Sequence, residues 1–173
     1  MGDAGAIIAN SFAPIVNHNT HTLILGSMPG QASLNAQQYY AHPRNAFWPI
    51  ICSLLNIAAG SDYLQRLAAL QNAGIGLWDV LAQCERPGSL DSNINSASIV
   101  PNNFRELFSK HPHIQRLFFN GATAEQLFRR HVLPQLSDFS YLQLQRLPST
   151  SPAHAALSQE KKLAIWTSAL QPI

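Results

Sequence analysis

The chain has 173 residues, 46% of them hydrophobic and only 12% charged, with a formal net charge of +2 and a pI near 8.7. That length suits one domain, spanning residues 1–173, with a sizeable core. The mild basicity permits a polyanionic partner but lacks the clustered Lys and Arg of a strong electrostatic footprint. Cys52 and Cys84 form no CxxC pair and cannot supply the four thiolates of an iron–sulfur cluster. No apolar run reaches the ~20 residues of a membrane span, and no basic-then-apolar leader opens the chain. The expectation is a soluble cytoplasmic protein with both thiols reduced and buried.

Residues 1–20 carry a proline, small residues and little periodicity, and read as an irregular lead-in. A short apolar strand over 21–25 ends at Gly26. The stretch from Ser27 to Arg44 is then polar, glycine, proline and aromatic, a composition suited to a pocket rim rather than a buried element. A helix over 46–56 follows, with Asn45 at its N-cap, Pro49 tolerated in the first turn, and Phe47, Ile50, Ile51 and Leu54 on one face. A second helix over 62–72 is capped by Ser61 or Asp62 and closed by Gly74. IGLWDVL over 75–81 reads as one buried strand, and residues 82–96 return to loop chemistry around Pro87–Gly88. A short helix over 103–110 precedes a strand over 116–120, which stops at Asn120–Gly121 and is followed by a helix over 122–131. YLQLQRL over 141–147 alternates apolar and polar, as a half-covered edge strand does. After PSTSPAHA comes a last helix over 158–170.

Strands alternating with helices predict a three-layer α/β/α sandwich around a mostly parallel four-stranded sheet. Parallel strands put their carboxyl ends on one rim, where ligands of open α/β sheets bind. GSMPG, GSLDSN, NG and LPSTSPAH would therefore meet at a single cleft.

The motifs GSMPG (26–30), YYAHPRNAFW (39–48) and LPSTSPA (147–153), with GIGLWDVL, GSLDSNI and FFNGATAEQLF between them, resemble the uracil-DNA glycosylase superfamily. More narrowly, they resemble its hypoxanthine-DNA (deoxyinosine) glycosylase branch, across essentially the whole chain. The resemblance implies that Tyr40 stacks on a flipped base and that backbone N–H groups of Ser27 and Met28 donate to it. It also implies that Ser149, Thr150 and Ser151 grip a DNA phosphate. Two departures matter. Met28 stands where uracil-removing relatives usually carry Asp or Asn, and Leu147 where many carry His. Both agree with the hypoxanthine branch, and the paucity of cysteine excludes the cluster-containing ones.

The residues also have readings of their own. Tyr40 is a stacking face or a core tyrosine, and Tyr39 cannot share its direction. Asn45 holds a water near the sugar, caps the helix, or does both; Asn35 is an alternative water holder. Asn120 reads the base edge with its amide or is a turn asparagine before glycine. Ser149–Ser151 hydroxyls and N–H groups contact phosphate or form a plain turn. His154 adds a contact there or is a surface histidine. Arg44 and Arg146 flank the rim and meet DNA backbone, whereas Arg129–Arg130 and Lys161–Lys162 read as solvated helix faces.

The expected activity is monofunctional hydrolysis of hypoxanthine from DNA, by base flipping and water attack at the sugar C1′, with no metal, no cofactor, no membrane and a monomeric chain. No lysine near the rim is expected to form a Schiff base. The alternatives are excision of uracil or a broader range of deaminated bases, and a catalytically idle nucleic-acid-binding module. A serine hydrolase built on Ser27 fits poorly, because GSMPG is not a GxSxG elbow.

Overall fold

The computed structural model describes residues 6–172. Its strands and helices run, in chain order, β1 (Ile8–Asn10), β2 (Thr22–Gly26), α1 (Gln31–Ala36), α2 (Phe47–Leu55), α3 (Tyr63–Asn72), β3 (Ile75–Asp79) and β4 (Leu81–Glu85), then β5 (Val100–Pro101), α4 (Phe104–Lys110), β6 (Arg116–Asn120), α5 (Ala122–His131), β7 (Gln143–Leu147) and α6 (Gln159–Leu170). Four strands make one sheet in the order β3-β2-β6-β7, and every pairing in it is parallel. Register is set by the short apolar runs. Gly26 lies opposite Asp79, Leu25 opposite Phe119, and Asn120 opposite Leu147.

Successive side chains of a strand point to opposite faces, so the strands buried on both sides feed two cores. Ile24, Ile75, Leu77, Phe118 and Leu147 pack with Phe47, Ile50, Ile51, Leu70, Trp166 and Leu170 from α2, α3 and α6. On the other face Leu23, Leu25, Leu117, Phe119 and Trp78 meet Phe104, Phe108, Ala124 and Phe128 from α4 and α5. This is the expected three-layer sandwich. The free edge of β3 is covered at Leu77 by Ile15, which exchanges two backbone hydrogen bonds with it.

Four expectations fail. The strand expected over 75–81 is two strands. Val80 donates to the Gly26 carbonyl and Leu81 to that of Ser27, and the chain then leaves for a second sheet. That sheet, in the order β1-β4-β5 and antiparallel, uses residues 82–85 of the supposed loop and three residues of the supposed lead-in. Within β4 only Leu81 and Cys84 are buried, a spacing that matches no strand period, and a three-residue β1 has no period at all. The long loop likewise contains α1, six residues with no side-chain N-cap, too short to show a repeating face. Cys84 is buried as expected, but Cys52 is half exposed; both are free.

Local chemistry closes the elements where anticipated. Asp62 and Gln65 form a reciprocal capping box on α3. Between β6 and α5 the chain passes through Gly121 at φ 100°, ψ 166°, a region open essentially to glycine alone. A Cβ there would also stand 3.0 Å from that of Ser149. Gly121→Ala is expected to cost about 1–3 kcal/mol in urea unfolding; an unchanged midpoint would show that this strand end tolerates the shift.

Candidate functional site

The carboxyl ends of β2, β3, β6 and β7 open into one cavity of about 570 Å³. Its lining includes Ser27, Met28, Tyr40, Asn45, Asn120, Ser149, Thr150, Ser151 and His154, so nine of the ten expected site residues share it. Arg44 is exposed and outside the lining, as are Asn35 on α1 and Arg146, which faces Glu125 at 3.7 Å.

Tyr40 sits at φ 56° and stacks its ring on that of Phe47, with centroids 4.0 Å apart and planes 28° apart. Its neighbour Tyr39 turns away, donating its hydroxyl to the Ala13 carbonyl, while the Tyr39 carbonyl accepts from the Trp48 indole. The N-cap of α2 is Ala46, not Asn45, and Asn45 sits one residue further out. Its Oδ1 accepts from the Phe47 N–H at 2.9 Å, which fixes the amide orientation and leaves Nδ2 as its remaining donor.

Asn120 is bound to the loop after β7. Its Oδ1 accepts from the Thr150 N–H and its Nδ2 donates to Thr150 Oγ1, both at 2.9 Å. Thr150 is consequently only 1% exposed and faces inward, contrary to its expected role as a phosphate donor. Ser149 and Ser151 remain half exposed. Ser149 Oγ accepts from Ser151 N–H, and Ser151 Oγ from Ala153 N–H. The same loop is held from below by α6. The Trp166 indole donates to the Pro148 carbonyl, and the Lys162 ammonium donates to the carbonyls of Ser151 and His154. Lys162 is thus a buried clamp, 5% exposed, and not the solvated helix face expected of Lys161–Lys162. It is also a lysine close to the site, against expectation, although its carbonyl partners occupy it and it does not line the cavity. Burial lowers its pKa.

The carboxyl side of the site is absent from the residues expected on sequence grounds. Asp79 ends β3, is 3% exposed, and lines the cavity. Its Oδ2 and the Tyr40 hydroxyl are both buried without a hydrogen-bond partner. Burial, and then the Asp91 carboxylate, push Asp79 up to about 7, while the Arg86 guanidinium pulls the other way. Arg86 itself, 1% exposed, donates to the carbonyls of Pro29 (2.6 Å), Gly88 (2.9 Å) and Met28 (3.4 Å), tying the loop after β2 to the one after β4. Asp91 accepts from Ser27 Oγ at 2.7 Å. Burial raises its pKa too, opposed by Ser27 and Arg86. Burial and Asp79 raise the Tyr40 phenol, and Asn120 beside it opposes them without a well-formed hydrogen bond. The signal available in sequence was one charged residue inside an apolar run, at the carboxyl end of a parallel strand. Among the described residues no group of three or more His, Cys, Asp or Glu is placed to hold a metal ion. No helix among them is long and apolar enough to cross a membrane.

A stacked aromatic, convergent amides and a buried carboxyl around one sheet-edge cavity define an α/β protein built to enclose a planar, hydrogen-bonding ligand. The chain belongs to the uracil DNA glycosylase superfamily, which it matches over residues 13–170, and so to the enzymes that cleave N-glycosyl bonds in DNA. It is 34% identical over 161 residues to a hypoxanthine DNA glycosylase of Methanosarcina acetivorans, covering 90% of this chain and 94% of that one. It is 40% identical over 111 residues to a hypoxanthine DNA glycosylase of Methanosarcina barkeri, 64% of this chain and 69% of that one. The solution NMR structure of a putative uracil DNA glycosylase from M. acetivorans superposes with a TM-score of 0.75 at 31% identity, over 94% of this chain and 98% of that one.

The raised pKa of Asp79 has a consequence for stability. Between about pH 4 and pH 7 the unfolded chain ionises this carboxyl while the folded chain keeps its proton, so stability falls as pH rises through that window. The slope is at most about 1.4 kcal/mol per pH unit, and it ends above the folded pKa. Asp79→Asn is therefore expected to gain on the wild type from pH 4.5 to pH 7 in urea titrations and then hold its advantage to pH 8. A difference independent of pH would mean that the carboxyl is ionised in the fold.

Proposed function

We propose that the protein is a monofunctional DNA glycosylase that hydrolyses hypoxanthine (deaminated adenine) from DNA. It acts as a cytoplasmic, monomeric single-domain enzyme, without a metal or cofactor. The observation that carries this reading is the shared cavity, which gathers Tyr40 and Asn45, Asn120, and Ser149 from three separate segments. The names of the Methanosarcina relatives support hypoxanthine as the base.

An enzyme acting on a base must take it out of the stack, at a cost of a few kcal/mol, and hold it in a fitted pocket. With one face of Tyr40 against Phe47, the opposite face is the stacking platform, where such contacts contribute roughly 1–3 kcal/mol. Cleavage builds positive charge on the sugar and negative charge on the departing base, so fixed dipoles are the main tool. Asn45 Nδ2 donates to the water that attacks C1′. Asn120 has one amide N–H beyond its Thr150 bonds to offer the base, and its larger contribution is to fix the phosphate-gripping loop. Backbone donors of Ser27 and Met28 border the base. Ser149, Ser151 and His154 meet the flanking phosphate, and Arg44, outside the cavity, meets the backbone on approach. Thr150 supports the loop from within.

The competing reading, excision of uracil or a broad range of deaminated bases, draws on the names of the superfamily and of the solved relative. Met28, where uracil-removing enzymes usually carry Asp or Asn, weighs against it. Duplexes carrying deoxyinosine, uracil or xanthine, incubated with the enzyme and cleaved at abasic sites with alkali, separate the two. Release of hypoxanthine is expected, and release of uracil alone would refute it. Asn45→Ala and Asn120→Ala are each expected to slow release about 100-fold or more with the fold retained. Full activity in either variant removes that residue from the mechanism. Borohydride trapping should give no covalent adduct, because Lys162 is held by loop carbonyls.

A further inference from the structure

Resting on that reading, we propose that Asp79, in its neutral form, is a further catalytic residue that donates its carboxyl O–H to the departing base. Its first support is an orphaned atom. A buried polar atom without a partner is costly, and native structures keep few of them. Asp79 Oδ2 is such an atom, on a residue of the cavity wall. A partner that arrives with the ligand accounts for it.

The second support is Gly26. A Cβ on it would stand 2.6 Å from Asp79 Oδ1 and 3.3 Å from the Tyr40 hydroxyl. Glycine at the end of β2 thus leaves room for the Asp79 carboxyl at the cavity wall. The third is the electrostatic surrounding. Asp91 and Tyr40 lie beside Asp79, and Tyr39 is near enough to feel its charge although its hydroxyl is bonded to the Ala13 carbonyl. The cation acting on Asp79, Arg86, directs its donors to three loop carbonyls rather than to the carboxylate. Burial and Asp91 keep the carboxyl protonated up to about pH 7. A carboxylic acid kept neutral in an apolar site is an established kind of hydrogen-bond donor.

The match to the base is one of donors and acceptors. A 6-oxopurine presents two acceptors, O6 and N7, whereas adenine presents the N7 acceptor beside an N6 amino donor. An O–H donor placed against O6 suits the first and opposes the N6 amino group of the second. In the reaction the N9–C1′ bond breaks with its electron pair passing to the purine. The Asp79 proton stabilises that charge and passes to the base, and water adds its oxygen to C1′. The proton lost by that water returns through solvent to the Asp79 carboxylate.

The test uses full-length wild type, Asp79→Asn, Asp79→Ala and Tyr40→Phe. Single-turnover release from a deoxyinosine duplex is followed from pH 5.5 to pH 9, with a melting curve for each variant. The wild-type rate is expected to be level at low pH and to fall about tenfold per unit above pH 7. Asp79→Asn keeps an N–H donor but has no titrating proton; it should stay within about tenfold of the wild type and lose that fall. Asp79→Ala should drop about 100–1,000-fold. Tyr40→Phe should drop about tenfold while keeping the pH limb. A wild-type rate that rises through pH 7, with Asp79→Asn as inactive as Asp79→Ala, would make the residue a base for water and overturn the proposal. So would full activity of Asp79→Ala. If the wild type releases nothing from the duplex, the proposed function fails separately. Calorimetry with free hypoxanthine then decides: binding that weakens above pH 7 in the wild type but not in Asp79→Asn sustains the donor, and absence of binding rejects it.

Discussion

The parallel pairing of β2 with β3 and β6, and of β6 with β7, is the constraint on which the site depends. Parallel register puts Gly26, Asp79, Asn120 and Leu147 at one level of the sheet, at the end where the peptide chain leaves it. A slip of one residue in any strand would exchange its two faces. It would also withdraw a polar end residue from the rim and bury it. The two apolar cores prevent that slip. Leu23 and Leu25 are fully buried on one side and Ile24 on the other, so no neighbouring register satisfies both. Precision at the rim is therefore inherited from the hydrophobic packing several residues below it.

Above the sheet the loops are held chiefly by hydrogen bonds to carbonyls. Arg86 joins the loop after β2 to the one after β4 through three such acceptors, and Lys162 holds the loop after β7 through two. Asn120 adds a two-point attachment to Thr150, and Ala46 N–H a further bond to the Thr150 carbonyl. Burying a guanidinium and an ammonium is costly unless their protons are satisfied, and here loop carbonyls fill that part. The arrangement converts flexible connections into fixed walls, which catalysis by preorganised dipoles requires. It also leaves Asp79 without a direct counter-ion, because the positive charge beside it is committed elsewhere.

The sheet was legible because each of its strands is a compact run bounded by turn residues, with the helix caps and glycines falling between them. The converging loops followed from parallel topology alone. What escaped notice did so for physical reasons. β1 and β4 draw their stability from each other, and neither carries a periodic pattern that a reader of one segment can see. Lys162 and Arg86 look like surface residues in sequence because charged side chains are seldom fully buried; only the carbonyls brought by distant loops make their burial tolerable. Asn120 and Thr150, thirty residues apart, each carry a plausible role singly, and their bonding to each other belongs to tertiary structure. Asp79 was hidden by its setting. Inside IGLWDVL it reads as an interruption of a strand, and its chemistry appears only when Gly26 and Tyr40 are seen beside it.

The low charge of the chain fits this division of labour. With only 12% charged residues and a net charge of +2, long-range attraction to DNA is weak, and non-specific binding rests mostly on such attraction. Discrimination must then come from contacts made at the lesion. On the proposed function, hydroxyl and main-chain donors at Ser149 and Ser151 position the backbone without encoding sequence, while the cavity wall reads the base by its donors and acceptors. A stacking face accepts any base. A wall of buried groups left unpaired until the right base enters does not, because a base that fails to satisfy those groups leaves their desolvation uncompensated. On the proposed role of Asp79, selectivity of this kind lies in its orphaned carboxyl, a donor for the O6 acceptor that a 6-oxopurine presents where adenine presents an amino group.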